Sequence, residues 1–315
     1  MAKGKRRTEN KMEGNRMFKR LMIAALCLGI GWDLSLGQLK KRVAVFSFED
    51  KTDHTWHWWD GRAPGEGMAD MLTTALVKSG KYIVVERQEI DQILAEQKLG
   101  QAGIVTQESA AQVGKMLGVE LAVIGSITEF GYSEKETGGR VKGFGLGVKT
   151  QKATVAVDVR LVHTTTGEIL KAESVRKEEV SSGLAVSTPK FGFHDKAEFD
   201  NSIVGKATRS AIETIVGLID QEAEAMPWSG KIILVKENGV YFKPGMDAGV
   251  KEGDTFTVYT KGEELIDPDT GLSLGSEEEK IGTIQVVGFT AEGKVSKAII
   301  KMGSGFQKGD IVRFK

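Results

Sequence analysis

Four histidines, His54, His57, His163 and His194, are the side chains best suited to ligate a metal or move a proton near neutral pH. Only His54 and His57 stand close together, and with Asp53 and Asp60 they would supply a nitrogen and oxygen donor set. A zinc-binding helix spaces its histidines as His-x-x-x-His, one turn apart on one face, with a glutamate alongside. The His54 and His57 spacing in the polar stretch Lys51 to Pro64 has neither feature, so no metal is expected. The run Gly143-Phe144-Gly145-Leu146-Gly147 has the glycine density of a phosphate-cradling loop. It lacks the Lys-Ser/Thr that would hold the phosphate, and it does not join a buried strand to a helix, so it reads as a glycine and aromatic strand. A serine nucleophile on a strand-to-helix elbow is not expected either. With the lone cysteine, Cys27, inside an apolar run, the expectation is no catalytic residue, no cofactor and no enzyme. The same stretch, Lys51 to Pro64, also carries Trp56, His57, Trp58 and Trp59 in succession. Indoles in a polar, glycine-bounded loop are costly to leave in water. Either they fold back on their own domain, or they face a neighbouring subunit or a pore.

The elements around that loop follow from periodicity. Val43 to Phe48 is rich in β-formers, and Met68, Met71, Leu72, Ala75 and Leu76 fall on one helical face. Gly80 stands where a helix ends in a left-handed residue, and Tyr82 to Val85 is a strand too apolar for a wet face. Helices are expected from Glu89 to Gln97 and from Glu108 to Leu117, then a buried strand from Leu121 to Thr128. Successive units of this kind predict an α/β (α+β) fold, with a mixed sheet covered by helices. From Ile127 the pattern changes to alternation, with Ala153, Val155, Val157, Val159 and Leu161 on one face. Thr165-Thr166-Gly167 then turns the chain into a hairpin strand from Glu168 to Ser174.

Two segments flank this hairpin, Ser133 to Thr150 and Val180 to Phe193. Phe144, Leu146 and Val148 alternate with glycines in the first, and Leu184 with Val186 in the second, while Lys177, Glu178 and Glu179 interrupt the second apolar pattern. They read as extended β-hairpins that need neighbours, or as a shorter soluble flap. A helix from about Asn201 carries the stripe Ile203, Val204, Ala207, Ala211, Ile212, Ile215, Val216 and Ile219. Beyond Met226-Pro227 the chain repeats one strand-opening turn, Glu252-Gly253-Asp254 and Lys308-Gly309-Asp310, which predicts a small β-barrel. The expected organisation is a signal peptide over 1–37, an α/β domain over 38–227 and a barrel domain over 228–315.

The first 37 residues hold eight Lys/Arg against three acids, followed by the apolar run Leu21 to Ile30. A basic segment before a short apolar run is an export signal, too short to span a bilayer, and Ser35 and Gly37 would place cleavage before Gln38. Leu26 stands where a lipid-anchored protein needs a small residue before its cysteine, which favours cleavage over acylation at Cys27. The remaining residues carry 35 basic and 40 acidic side chains, which argues against nucleic acid. At 315 residues and 40% hydrophobic content, the chain has enough apolar surface for a proper core.

Val85-Glu86-Arg87-Gln88, Ile93-Leu94-Ala95-Glu96-Gln97, Leu117-Gly118-Val119, Ile124-Gly125-Ser126-Ile127 and Thr166-Gly167-Glu168-Ile169-Leu170, in this order, resemble the CsgG/HfaB family. That family includes the subunit of the outer-membrane curli secretion channel. The resemblance spans roughly residues 41 to 220. It implies a homo-oligomeric ring at the outer membrane, in the periplasmic space, with secreted polypeptide or envelope protein partners. It also places Trp56, His57, Trp58 and Trp59 at the constriction loop, and Phe144, Leu146, Val148, Leu184 and Val186 in hairpins that meet their neighbours. The curli subunit is lipidated, a point at which this chain departs from it. Residues Gly262 to Pro268 resemble the C-terminal barrel of the flagellar assembly factor T family, which supports the alternative of a soluble periplasmic accessory protein acting by binding alone.

Overall fold

Val43, Ala44 and Val45 are all buried, so the first strand, β1 (Lys41–Val45), has to be covered on both faces and paired on both edges. The computed structural model describes residues 39–52, 63–86, 89–91, 106–141, 144–184, 195–266, 268 and 273–314. After β1 come the short β2 (Glu49–Asp50), helix α1 (Pro64–Ser79), β3 (Tyr82–Val84), helix α2 (Gln107–Leu117) and β4 (Leu121–Val141). Strand β1 lies between β3 and β4, parallel to both. Beyond β4, the strands β5 (Phe144–His163) and β6 (Ile169–Leu184) continue the sheet antiparallel, giving the order β3-β1-β4-β5-β6 with β2 paired to β4.

One face of this sheet is covered by α1 and by α4 (Ile203–Ala225), which follows the short α3 (Lys196–Asn201). Leu72 and Leu76 from α1 and Ala211, Ile215 and Ile219 from α4 close over Val43, Leu121, Val155, Val157 and Val159. The opposite face is covered at its β1 and β4 end by α2, whose Ala110 and Val113 meet Ala44, Ala122, Ile124 and Val162. The helices end as their sequences dictate: Thr106 and Ser109 cap α2 reciprocally, and Gly80 and Gly118 take the left-handed conformation after α1 and α2.

The remaining strands, β7 (Ser229–Lys236), β8 (Gly239–Lys243), β9 (Thr255–Ile266), β10 (Ser273–Thr290), β11 (Val295–Gly303) and β12 (Ile311–Phe314), close a barrel in the order β10-β11-β8-β7-β12-β9. Its core packs Ile232, Val240, Val258, Ile284 and Val312 around a group of aromatics, in which the ring of Phe256 lies 5.2 Å from those of Trp228 and Phe242, and 5.3 Å from that of the exposed Phe314. The repeated turns have one construction. Gly253 and Gly309 sit at positive φ, and the following aspartates accept backbone N–H bonds, Lys251 N to Asp254 at 2.8 Å and Gln307 N to Asp310 at 2.6 Å.

The strands are longer than periodicity suggested. β4 does not stop near Thr128: an irregularity between Ile127 and Glu129 lets it continue to Val141. β6 does not stop at Ser174 either, and Lys177, Glu178 and Glu179 do not interrupt it. They pair with Val155, Thr154 and Ala153 within an unbroken ladder, because the edge strand leaves room for charge in water. The expected helix from Glu89 lies mostly outside the described residues, and Arg87 and the N-terminal segment with its expected signal lie wholly outside them.

Candidate functional site

The tryptophan loop, with Trp56, His57, Trp58 and Trp59, lies outside the described residues, but both of its ends are described. On the leaving side, Lys51 N donates to the Ile127 carbonyl at 2.9 Å, and Asp50 accepts from the Thr52 N–H at 2.9 Å and the Thr52 hydroxyl at 2.7 Å. On the returning side, the first turn of α1 abuts the Phe48 backbone. A Cβ added at Gly65 would stand 1.9 Å from the Phe48 carbonyl oxygen, so only glycine permits that contact. The Phe48 ring in turn lies against Gly125 of β4, where an added Cβ would come within 2.9 Å of it. The loop therefore starts and ends on one rigid patch built from Phe48, Gly65 and Gly125.

The second candidate is the ribbon formed by the distal halves of β4 and β5. The helices end their cover at Tyr132 and Ala153, the last residues of the ladder to join the core. From Ser133↔Lys152 to Val141↔Phe144 the two strands run on through nine consecutive register pairs. Phe144, Leu146 and Val148 occupy one parity of this ladder, opposite Val141, Gly139 and Thr137. β6 follows β5 as far as Val148↔Leu184, so the structure brings Leu184 into the row of Val148. Val186 lies outside the described residues.

At the base of the ribbon, a charged ladder crosses three strands. Arg176 donates to both carboxylate oxygens of Glu129, at 3.0 and 3.1 Å, and to Glu178, which also pairs with Lys152 at 2.8 Å. Ala156 stands between Glu129 and Arg176 in the register, and its small side chain lets the guanidinium reach across β5. Lys152 first and Arg176 second hold the Glu178 carboxyl below its ordinary range, and the two glutamates push the Arg176 guanidinium up. In the sequence Glu178, with Lys177 and Glu179, reads as a break in an apolar pattern. Paired across strands, Glu129, Lys152, Arg176 and Glu178 are the polar face of the sheet.

Sequence reasoning also passed over a buried charge. Lys41 is 7% exposed and donates from Nζ to the Met226 carbonyl at 2.6 Å, at the end of α4. Burial pushes its pKa down and Glu120 partly offsets this, while burial pushes the Glu120 carboxyl up despite the Arg42 N–H at 3.0 Å. Lys40 N donates to Ala248, so the start of β1 ties the sheet to the barrel segment. The strand pattern hid this lysine, because periodicity does not reveal which carbonyl a side chain can reach.

No group of three or more His, Cys, Asp or Glu suited to a metal occurs among the described residues. His163 Nδ1 lies 3.0 Å from the Thr166 hydroxyl inside the β5–β6 turn, and burial lowers its pKa. His54, His57 and His194 lie outside the described residues. Gly271-Leu272-Ser273-Leu274-Gly275 does satisfy the serine-elbow spacing, which the sequence reading overlooked. Ser273 opens β10 of an antiparallel hairpin instead of a strand-to-helix turn, so the pattern is not an elbow.

Residues 32–231 match the family described as curli production assembly/transport component CsgG, well over half of the chain. The chain belongs to the CsgG family. The curli production assembly/transport component CsgG of Escherichia coli (strain K12) is 29% identical over 220 residues, 64% of this chain and 78% of that protein. The protein of the same name from Salmonella typhimurium is 28% identical over the same shares. Among solved structures, the LpoB C-terminal domain from Salmonella enterica aligns with 49% of this chain and 90% of its own, at 17% identity and a TM-score of 0.31, too distant to bear on function. The CsgG match stops at Lys231 in β7, so the rest of the barrel lies beyond it.

Proposed function

We propose that this CsgG-family chain is an exported, non-enzymatic subunit that assembles with copies of itself at the outer membrane and passes or organises secreted polypeptides for a surface structure. The observation that carries the reading is the ribbon of β4 and β5, with nine register pairs beyond the helical cover. At ~3.4 Å per residue it is roughly 30 Å long, about the 9–11 residues a membrane-spanning strand requires. Its apolar parity covers less. Phe144 to Val148 spans roughly 14 Å, against an apolar band of about 25 Å on outer-membrane barrels. That shortfall favours contact between ribbons of neighbouring copies over a complete crossing by each. In this reading Phe144, Leu146, Val148, Leu184 and Val186 form the inter-copy contact, and the loop of Trp56, His57, Trp58 and Trp59 faces the opening. The proposed organisation is a signal over 1–37, an α/β domain over 38–227 and a barrel domain over 228–315.

The test replaces Phe144 and Leu146 together by Ser in the full chain. Membrane fractionation, and sedimentation at about 0.5 M salt, should report loss of assembly or release from membranes, with the melting temperature little changed. A collapse of the melting temperature would assign both residues to the monomer's own core and end the proposal. The barrel favours a second reading, because it lies beyond the family match: a soluble periplasmic accessory protein that acts by binding alone. Wild-type protein recovered wholly in the soluble periplasmic fraction as a monomer would select it.

A further inference from the structure

The barrel carries two exposed surfaces that complement each other in charge. β9 pairs with β12 only as far as Tyr259, and β10 pairs with β11 only from Gly282 onward. Thr260 to Ile266 and Ser273 to Lys280 therefore pair only with each other, as a two-stranded arm beyond the barrel wall. Arg313 anchors its base, donating to Glu278 at 2.7 Å. Further out, Leu265 and Ile266 are each 51% exposed, and the arm's two strands carry five glutamates against Lys261 and Lys280. An arm with two open edges and an exposed apolar pair is a surface built to be covered.

The outer face of β7, β8 and β11 has the opposite character. These adjacent strands, SGKIILVK, GVYFK and VSKAIIKMG, contain five lysines and no acid. Lys231 pairs with Lys243 across β7 and β8, Lys297 of β11 stands opposite Tyr241 in the next outward row, and Lys301 lies further along β11. Among them, exposed Leu234 and Ile299 form an apolar centre beside Tyr241, which carries the Lys236 ammonium 5.3 Å from its ring centroid. In the closed strand order, β8 at the centre of this face is three strands from β9 in either direction. The arm's other strand, β10, borders β11, but from Lys280 outward the arm runs past the end of the β10–β11 ladder at Gly282↔Gly303 and leaves the wall that carries the lysines.

We infer that the arm of one copy docks on the β7–β8–β11 face of the next, a head-to-tail contact between barrels in which glutamates meet lysines around Leu265, Ile266, Leu234 and Ile299. Such a contact uses a different surface on each partner. It propagates, and it closes into a ring or grows as a filament according to the rotation per step. It is independent of the β4–β5 ribbon and goes beyond the assembly proposed there.

Two reversals in the full chain test it, Lys297→Glu with Lys301→Glu on the face and Glu277→Lys with Glu279→Lys on the arm. Each is made in the wild-type background and in the Phe144→Ser/Leu146→Ser background, so that arm-mediated and ribbon-mediated association are read separately. By sedimentation at about 0.05 M salt, self-association should persist without the ribbon contact and weaken about tenfold or more in each reversal. Mixing the two reversed proteins should restore it, because the acidic face of one then meets the basic arm of the other, and about 0.5 M salt should abolish it. The contact is overturned if the ribbon variant shows no salt-sensitive self-association, if either reversal associates like its parent, or if the mixture gains nothing over its components. None of those results touches the ribbon reading, whose own readout in the Phe144→Ser/Leu146→Ser protein is the loss of membrane association, or of the assembly that survives about 0.5 M salt, where the arm contact is silent.

Discussion

The sheet and the barrel both send a two-stranded ribbon past their own core, and the two ribbons have opposite chemistry. The β4–β5 ribbon sets Phe144, Leu146 and Val148 on one parity, and on the other Gly138, Gly145 and Gly147 with Arg140, Glu136 and Lys149 of both signs, whereas the β9–β10 arm is dominated by glutamate with two apolar residues near its tip. A strand that outruns its core exposes both faces and at least one edge, so its side chains decide what will cover it. Glycine and apolar alternation suits another ribbon or an apolar phase, while an acidic arm stays soluble until a basic surface arrives. The cores behind them differ as well. The sheet packs its strands against two long helices, whereas the barrel closes on itself, its aliphatic strand residues packed around Trp228, Phe242, Phe256 and Phe306.

The sharpest way to break this comparison is to damage one core alone. Phe256 is fully buried and touches three aromatic rings, so Phe256→Ala should remove about 3–5 kcal/mol from the barrel. If the sheet and barrel are separate folding units, denaturant titration followed by tryptophan fluorescence and circular dichroism will show two transitions, with only the barrel's moved. One transition shifting as a whole would mean that ties such as Lys40 N to the Ala248 carbonyl make the two a single unit. Residues 228–315 expressed alone should likewise unfold cooperatively, and the fragment must include Trp228 because its ring belongs to the barrel core.

A smaller loss is expected at the base of the tryptophan loop. The Gly65→Ala methyl meets a backbone carbonyl that cannot swing away, so about 1–3 kcal/mol should be lost from the sheet unit with the barrel unaffected. Thermal melting of the full chain measures this. Trp58→Ala should do less to the fold, within about 1 kcal/mol, while altering assembly or export, as the proposed position of its loop at a neighbour or an opening requires. A stability loss of core size with unchanged assembly would place the indoles in the monomer's own packing.

The smallest effect concerns pH. The Glu178 carboxyl is held below its ordinary value, so its contribution to stability is fully present above that value and is lost as pH falls through the lowered one. Glu178→Gln should therefore flatten the acid limb of the stability curve, in proportion to a solvent-exposed pair, and leave stability at pH 7 nearly unchanged. An unchanged acid limb, followed by chemical denaturation between pH 3 and pH 7, would show that the ladder across Glu129, Arg176, Glu178 and Lys152 adds nothing beyond the backbone pairing.

Local pattern by itself determined the elements of this protein. The stripe of α4, the glycines ending α1 and α2, the alternating strand through Val155 and Val157, and the twin Gly-Asp turns depend on residues within a few positions of one another, where periodicity and turn chemistry act. The tertiary structure alone decided how far β4, β5 and β6 run, because strand length follows from the partner strand's register, which no local window contains. It decided that Lys177 to Glu179 are ladder positions, that Ala156 opens a path from Arg176 to Glu129, and that Lys41 reaches the end of α4. It also set the strand order that places β8 across the barrel from β9. Each of these joins residues far apart in the chain, and that pairing is fixed by which surfaces can be buried together.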